Sequence, residues 1–562
     1  MLMGMRGHPC CSRFHREQPL EATSATISPQ AFHSQRSGVP TTVGWRRIQR
    51  TRLVLLFLPW LGLAWQGLLA QTPTDWLSAF LAASGAFLVF FDAFRPNQLY
   101  RYPLSSLVVL GFGVTLQLGP LLFTAIEGNS ITSNLVVPVA TFGHGVLASL
   151  VCLFAHTIYR QSPWLRQLRA AVQRALLQLK LFKPLSTLEA MVMGLFGVFA
   201  LASSTWFSGI GEASTVLGKF IQGFQFFSII PAAFLLQAYW RQLPASSSPS
   251  SRKPLVMFLL SMVLIVLVSL GRNARSPIVV PLACLFLGLG LQWLYGLIRL
   301  HISVLLAVGL AIVVLLPLAT DMATAMVMVR GQRGDVPPTE LLDQTMTQFQ
   351  DRQAVKRFRL VTAELGLSSD WSENYVSNLF LARFTNAKFP DNSLENSDRL
   401  SPPQRDEMAA FQWWRLLAIL PSPVLTFLGV PEETKQEVTS YSLGDKLYAL
   451  SSGSQNALGG FRTGHFFGTG MAGFGFGYLV IFLLGLLLVF PLVDAHALVV
   501  APDGTLTTPL ISAVAITQLI GWFTISNAES VTALLSYPLR GFIEPVLLFA
   551  LIRWLLARVR VA

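Results

Sequence analysis

The sequence predicts an all-α polytopic membrane helical bundle, and three observations carry that expectation. Of 562 residues, 52% are hydrophobic and only 12% are charged, about half the charged share of a soluble domain. Apolar runs of about 20 residues, long enough to cross a bilayer as a helix, recur along the chain. Lys and Arg gather in alternate short loops between those runs. This composition excludes a disordered chain, a collagen-like chain and an ordinary cytosolic enzyme. The net charge of +13 does not mark a nucleic-acid binder. No basic patch with interleaved aromatics occurs, and the surplus flanks the apolar segments.

Residues 1–50 are polar and Arg-rich and lack the apolar core and cleavage site of a signal peptide, so they read as a disordered cytoplasmic tail. Within 51–319 nine spans are expected, at 53–71, 75–94, 103–125, 133–157, 188–206, 218–240, 254–271, 276–298 and 301–319. A polar stretch covers 320–466. Residues 467–562 add three spans, at 467–493, 506–526 and 532–557, making about 12 transmembrane helices.

Orientation follows from the basic loops. Eight Arg precede the first span or open it, up to Arg52. Every second loop then carries Arg95 and Arg101; Arg160, Arg166, Arg169, Arg174, Lys180 and Lys183; Arg241, Arg252 and Lys253; and Arg299. Arg553, Arg558 and Arg560 close the chain, whereas the other loops hold Glu127, Glu212 and Glu529. Both termini are therefore expected in the cytoplasm and 320–466 outside. Residues 411–430 are apolar, but Arg415, Pro421 and Pro423 weaken a span there. They read as an interfacial or re-entrant element with Trp413 and Trp414 at the headgroup level.

The outer stretch holds 17 of the 28 acidic residues and 14 of the 41 basic ones, too mixed in charge for a simple linker. Residues 338–365 look like a polar helix, and 371–384 carry aromatics at helical spacing, so a mainly helical extracytoplasmic cap is expected. Cys10 and Cys11 lie in the tail, and Cys152 and Cys284 in apolar segments. They form neither a disulfide framework nor a metal set, and no cofactor or metal is expected.

Several residues stand out against this background. GTGMAG at 468–473 matches G-x-G-x-x-G, but no strand precedes it. Gly473 and Gly477 read better as a packing face between membrane helices. Arg272 and Arg275 sit three apart in a short outer turn, against the insertion bias. Two guanidiniums there can fork onto phosphate oxygens or snorkel to headgroups. Arg540 lies about 10 Å inside the last span, with Glu544 on the same helical face. It can face a wet cavity or form an internal ion pair. His465, with Arg462 three residues before it, stands where the outer loop re-enters the bundle. It is a candidate proton acceptor or a capping residue. His144 reads as a helix-packing group; the outer-loop carboxylates are too many to single out, and Asp391 and Glu395 near Arg383 and Lys388 fit solvated faces as well as functional groups. Arginines outside the bundle, a polar cap and a His at its mouth suit a lipid-diphosphate donor. The arginines would neutralise the diphosphate leaving group without a metal.

With these features the chain resembles the O-antigen polymerase and ligase superfamily of bacterial envelope glycosyltransferases. The resemblance rests on the Arg-bearing turn GRNARSPIVVPLACLFLGLGL, the single large late outer loop, and the loop exit RTGHFFGTGMAGFGFGYLVIFLLGLLL. It implies an inner-membrane enzyme acting on undecaprenyl-diphosphate-linked oligosaccharides at the periplasmic face. His465 would be catalytic, and Arg272, Arg275, Arg462 and Arg540 would hold diphosphate or glycan. It further implies membrane lipids, a chain-length regulator and export machinery as partners, and no nucleic acid. Phe466 and Phe467 stand where the ligase branch usually has an Asn after its His, which favours a repeat-unit polymerase. A ligase, a lipid-phosphate-sugar glycosyltransferase and a polysaccharide flippase are the alternatives. The flippase should show internal repeats. The lipid-phosphate-sugar enzyme needs an acid after its first span, where only Asp75 is available.

Overall fold

The computed structural model describes residues 42–206, 216–239, 252–299, 301–332, 336–366, 371–373, 375–376, 385, 387–420, 422–460, 462–500 and 506–559. Most of the expected tail, Cys10, Cys11, Glu212, Arg241, Arg383, Pro421, Arg560 and most of 371–384 lie outside the described residues.

Helices follow one another almost without interruption. They are α1 (Thr42–Leu69), α2 (Pro73–Ala93), α3 (Pro96–Arg101), α4 (Pro103–Gly111), α5 (Gly119–Ile126), α6 (Pro138–Gln161), α7 (Pro163–Gln178), α8 (Thr187–Trp206), α9 (Val216–Gln222), α10 (Ile230–Tyr239), α11 (Arg252–Gly271), α12 (Ser276–Leu294) and α13 (Ile302–Met328). The cap contains α14 (Pro338–Gln350), α15 (Arg352–Gly366), α16 (Lys388–Asp398), α17 (Pro402–Leu417), α18 (Ser422–Phe427), α19 (Glu432–Ser440) and α20 (Leu443–Ser452). Then come α21 (Phe466–Phe474), α22 (Tyr478–Ala495), strands β1 (Ala497–Val500) and β2 (Leu506–Ile511), α23 (Ala513–Phe523), α24 (Thr532–Ser536) and α25 (Glu544–Val559). Proline opens α2, α3, α4, α6, α7, α14 and α17, a position where its missing N–H is not needed and its fixed φ suits a helix start.

Among the described residues, eight helices are long and apolar enough to cross a membrane: Val43–Leu69, Pro73–Ala93, Pro103–Ile126, Pro138–Gln161, Phe220–Gln237, Arg252–Gly271, Ser276–Leu294 and Phe466–Ala495. Their outward faces leave Leu53, Phe57, Leu68, Phe154, Leu260 and Val480 exposed, an apolar belt too extensive for a water-soluble surface. The protein is an all-α membrane protein.

Of the twelve expected spans, 188–206, 301–319, 506–526 and 532–557 are not among these eight, and several expected segments differ in secondary structure. Residues 506–526 are not one helix: β2 pairs antiparallel with β1, Ala497 opposite Ile511 and Leu498 opposite Leu510, before the short α23 begins. The polar helix expected over 338–365 breaks at Asp351 into α14 and α15. Residues 411–430 likewise divide between the end of α17 and the short α18, with Trp413, Trp414, Val424 and Phe427 exposed.

The centre of the bundle is α2, α4, α6 and α22, where Val89, Phe90, Val108, Ala148, Cys152, Phe482 and Val489 are fully buried. At the end away from the cap, a carboxylate from α22 holds two other helices. Asp494 Oδ1 accepts the backbone N–H groups of Leu104 and Ser105 at 3.0 Å each, capping α4 from outside the helix. Its Oδ2 accepts the Ser105 hydroxyl at 2.6 Å and the Tyr159 hydroxyl of α6 at 3.1 Å. Four donors around one buried carboxylate satisfy amides that lipid could not.

Toward the cap, residues Phe112–Leu118 between α4 and α5 form a π-helical turn. On it, Thr115 Oγ1 lies 2.7 Å from Ser526 Oγ, fixing the short 3₁₀ turn Ile525–Asn527 that precedes the site described below.

Asp494→Ala leaves two helix-start amides unpaired in the interior and takes one acceptor from the Ser105 and Tyr159 hydroxyls, of which Ser105 keeps His156 Nε2 at 3.0 Å. It should lower unfolding stability by about 3–5 kcal/mol, seen as a depressed Tm of the detergent-solubilised protein. Asp494→Asn keeps an acceptor oxygen and should fall less.

Candidate functional site at the seam between cap and bundle

The seam is floored by a helix that looks as if it belongs in water. α16, KFPDNSLENSD, buries Lys388, Asp391, Asn392, Ser393, Asn396 and Ser397. Burial is tolerated because the polar groups have partners. Lys388 Nζ meets Asp391 Oδ2 at 2.8 Å. Asp391 also accepts the backbone N–H groups of Val136 and Val137, which lead into α6, at 3.0 and 2.7 Å. Asn392 Nδ2 donates to Ser372 O, and Asn396 Nδ2 to Asn392 O. Lys388 and Asp391 are thus an interior ion pair, the alternative to the solvated face that the sequence left open, while the neighbouring Arg399 lies toward solvent with Glu395 beside it. Gly468 of α21 packs its Cα directly on the Ser393 backbone, so any side chain there would collide with α16.

His465 sits at this joint as the N-cap residue of α21 and is fully buried. Its backbone N–H donates to Ser393 Oγ at 2.9 Å. Its Nδ1 accepts the Phe467 N–H at 3.2 Å, which leaves Nε2 as the protonated nitrogen, 2.9 Å from the Ser526 carbonyl. Burial pushes its pKa down to about 3. With both ring nitrogens engaged, His465 ties α21 to the 525–527 turn and offers no lone pair to an incoming hydroxyl.

Beside it lies a carboxylate that the sequence did not single out. Glu529, in the loop between α23 and α24, faces Arg415 of α17 with Oε2 3.6 Å from a guanidinium nitrogen. Both side chains are about one-third exposed, at 31% and 34%. The Leu443 and Gly464 amides point at Glu529, and Arg415 also donates to Tyr441 O at 2.7 Å. Burial raises the Glu529 carboxyl above its ordinary range, with Arg415 and the two amides opposing the rise. One carboxyl therefore touches the cap, the loop exit and the bundle.

Arg462 is built into the cap side of this joint. Its backbone N–H donates to Asp445 Oδ1 at 3.0 Å, its guanidinium donates to Ala457 O at 2.8 Å, and it lies 4.4 Å from the Tyr448 ring centroid. The other arginines occupy different places. Arg272 donates to Leu201 O at the end of α8, while Asn273, at positive φ, donates to Met326 O of α13. Arg275 forms the N-cap of α12. Arg540 stands in a second π-helical turn, Tyr537–Ile543. It lines a cleft of about 350 Å³ with Gln222, Gln225, Phe226 and Glu544. The structure therefore groups Arg462 with His465, Arg272 with Arg275, and leaves Arg540 with Glu544. His144 donates to or accepts from Tyr478 OH at 2.7 Å and stacks on Phe476. Gly473 and Gly477 do not form the expected packing face between membrane helices: Gly473 abuts the cap helix α17 at Ala409 and Gln412, and Gly477 faces open space. No group of three or more metal-ligating side chains occurs among the described residues.

Fold and site together define a helical membrane protein whose polar cap is sealed onto the bundle around a carboxylate–guanidinium pair. Comparison with protein families, with curated proteins and with solved structures finds no match to this chain.

The buried neutral His465 predicts a pH effect on stability. Its folded pKa lies below the unfolded value, so its contribution is whole above about pH 6.5 and is lost as pH falls toward 3. At pH 5 the loss is about 2 kcal/mol. Tm should fall between pH 7 and pH 5, and His465→Gln, which can still donate to Ser526 O, should remove that part of the fall.

Proposed function

We propose that the chain is a membrane glycosyltransferase that polymerises undecaprenyl-diphosphate-linked oligosaccharide units on the extracytoplasmic face of a bacterial inner membrane. Both termini would lie in the cytoplasm, with about twelve spans and residues 320–466 outside. The observation that carries this function is the Glu529–Arg415 pair, partly exposed where the cap meets the bundle. A lipid-borne donor can react only at the bilayer surface, and this pair stands where a soluble cap comes down to the membrane helices. The exposed Trp413, Trp414 and Phe427 suit seating of the cap at the headgroups.

The chemistry assigns each residue a part. Glu529, its carboxyl raised by burial, accepts the proton of the acceptor hydroxyl as that oxygen bonds to the anomeric carbon. The bond from that carbon to the diphosphate oxygen breaks, and undecaprenyl diphosphate leaves. Arg415 orients Glu529 and favours its charged form. Arg272 with Arg275, and Arg540 in its own cleft, stand apart from this pair and are assigned to holding more distant phosphate or glycan groups of the donor through forked donors. His465 and Arg462 are positioning residues that hold the loop exit. The substrate is a lipid-linked oligosaccharide; a chain-length regulator and export machinery are the protein partners.

Reconstituted protein given a purified undecaprenyl-diphosphate repeat unit should produce a ladder of chain lengths. A single transfer to a lipid acceptor would mean a ligase, and movement of lipid without new glycosidic bonds a flippase. Glu529→Gln should reduce the ladder by about 10²–10⁴ in rate with the fold intact; an unchanged ladder removes Glu529 from the mechanism.

The pH profile gives an independent check. Activity should fall with acidification as Glu529 takes up its proton. Arg415→Gln removes a group that lowers the Glu529 pKa, so the acid limb should move to higher pH. An unmoved limb assigns the titration to another group.

A further inference from the structure

At the end of the bundle opposite the cap, a cleft of about 580 Å³ opens between α2, α3 and α6. Its walls are polar, with Arg95, Arg101 and Arg160 set against the single carboxylate of Asp92 and with amides from Asn97, Gln98 and Gln161 between them. Asp92 is committed: its Oδ2 lies 3.0 Å from an Arg160 guanidinium nitrogen and its Oδ1 3.8 Å from Arg95. Arg160 is held further by a 2.9 Å bond from its other terminal nitrogen to Thr157 Oγ1. Arg95 is fastened at its base, Nε donating to Phe91 O at 3.3 Å with its guanidinium over the Phe91 ring, while its side chain remains 42% exposed. Arg101 is exposed and makes no side-chain hydrogen bond or ion pair among the described residues.

Three guanidiniums against one carboxylate leave an excess of two positive charges around one polar hollow. Asp92 orders Arg160 and Arg95, and Arg101 stands ready on the other wall. Planar forks and neutral amides lining one hollow match the oxygens of a phosphate group. We propose that this cleft is a binding site for a phosphate-bearing anion. It lies at the ends of α2 and α6, two helices long and apolar enough to cross a membrane, so a bilayer crossed by them sets the cleft level with its headgroups. It is separate from the cap seam and does not depend on the glycosyl-transfer function.

Basic residues at helix ends also orient membrane proteins during insertion, and for that purpose Lys serves as well as Arg. A phosphate site needs the fork, so Arg→Lys separates the two roles. The test uses the full chain purified in a neutral detergent. Phosphatidylglycerol, phosphatidylcholine and soluble pyrophosphate are added separately, and bound lipid is counted by native mass spectrometry alongside the shift in Tm.

Phosphatidylglycerol should bind and raise Tm, and phosphatidylcholine should do neither. Arg95→Gln/Arg101→Gln should weaken the binding by about tenfold or more, and Arg95→Lys/Arg101→Lys should restore little of it. Asn97→Glu, which leaves every arginine in place and adds a negative charge to the hollow, should also abolish binding. It stands in for the arginine variants if these do not fold. Competition by pyrophosphate identifies the site as open to free phosphates, and its absence identifies a lipid headgroup site; either supports the phosphate chemistry. Binding by the Lys pair equal to the parent, or binding unaffected by Asn97→Glu, overturns the proposal.

Discussion

Amide groups at helix starts have no partner inside their own helix, and a bilayer offers none. In this protein distant carboxylates meet that need. Asp494 of α22 caps α4, and Asp391 of α16 gathers the amides leading into α6. Each is fully buried, and each joins segments far apart in sequence. The position of the cap follows from the second, because Asp391 can reach Val136 and Val137 only if α16 lies inside the protein. Once α16 is there, Ser393 receives the His465 amide, Gly468 is pressed on the same helix, and the loop exit has one place to go.

Much of the fold was legible because hydropathy over about 20 residues reports directly on bilayer crossing. Most expected spans coincide with helices, and α13 runs past its expected end at 319 to Met328. The hairpin was missed because its strands are short and apolar and merge, on hydropathy alone, with the helix that follows. Asp503-Gly504 between a Val-rich and a Thr-rich run was the available sign. α16 is hard to read for the opposite reason. Its charges and amides predict a wet surface when counted singly, whereas in the structure they partner one another and backbone from other elements.

The position of His465 at the joint was legible in the sequence, and its partners were not. A His at the exit of a long loop marks where cap and bundle meet, and His465 is there. Whether such a His moves protons or caps a helix depends on what faces its two nitrogens, and those partners, Phe467 N and Ser526 O, come from tertiary structure. Glu529 carried even less signal: one acidic residue in a short loop. Its character comes from Arg415, Leu443 and Gly464, which the fold brings to it from two parts of the cap.

The long-range carboxylate caps also set a schedule for biosynthesis. Leu104 precedes its partner Asp494 by 390 residues, and Val136 precedes Asp391 by 255. At about 5–20 residues per second, the amides at the start of α4 wait roughly 20–80 seconds for their acceptor. During that interval the early spans must draw on water at the membrane surface, the insertion machinery or temporary partners. The first half of the bundle therefore reaches its final arrangement only when the last third of the chain has been made.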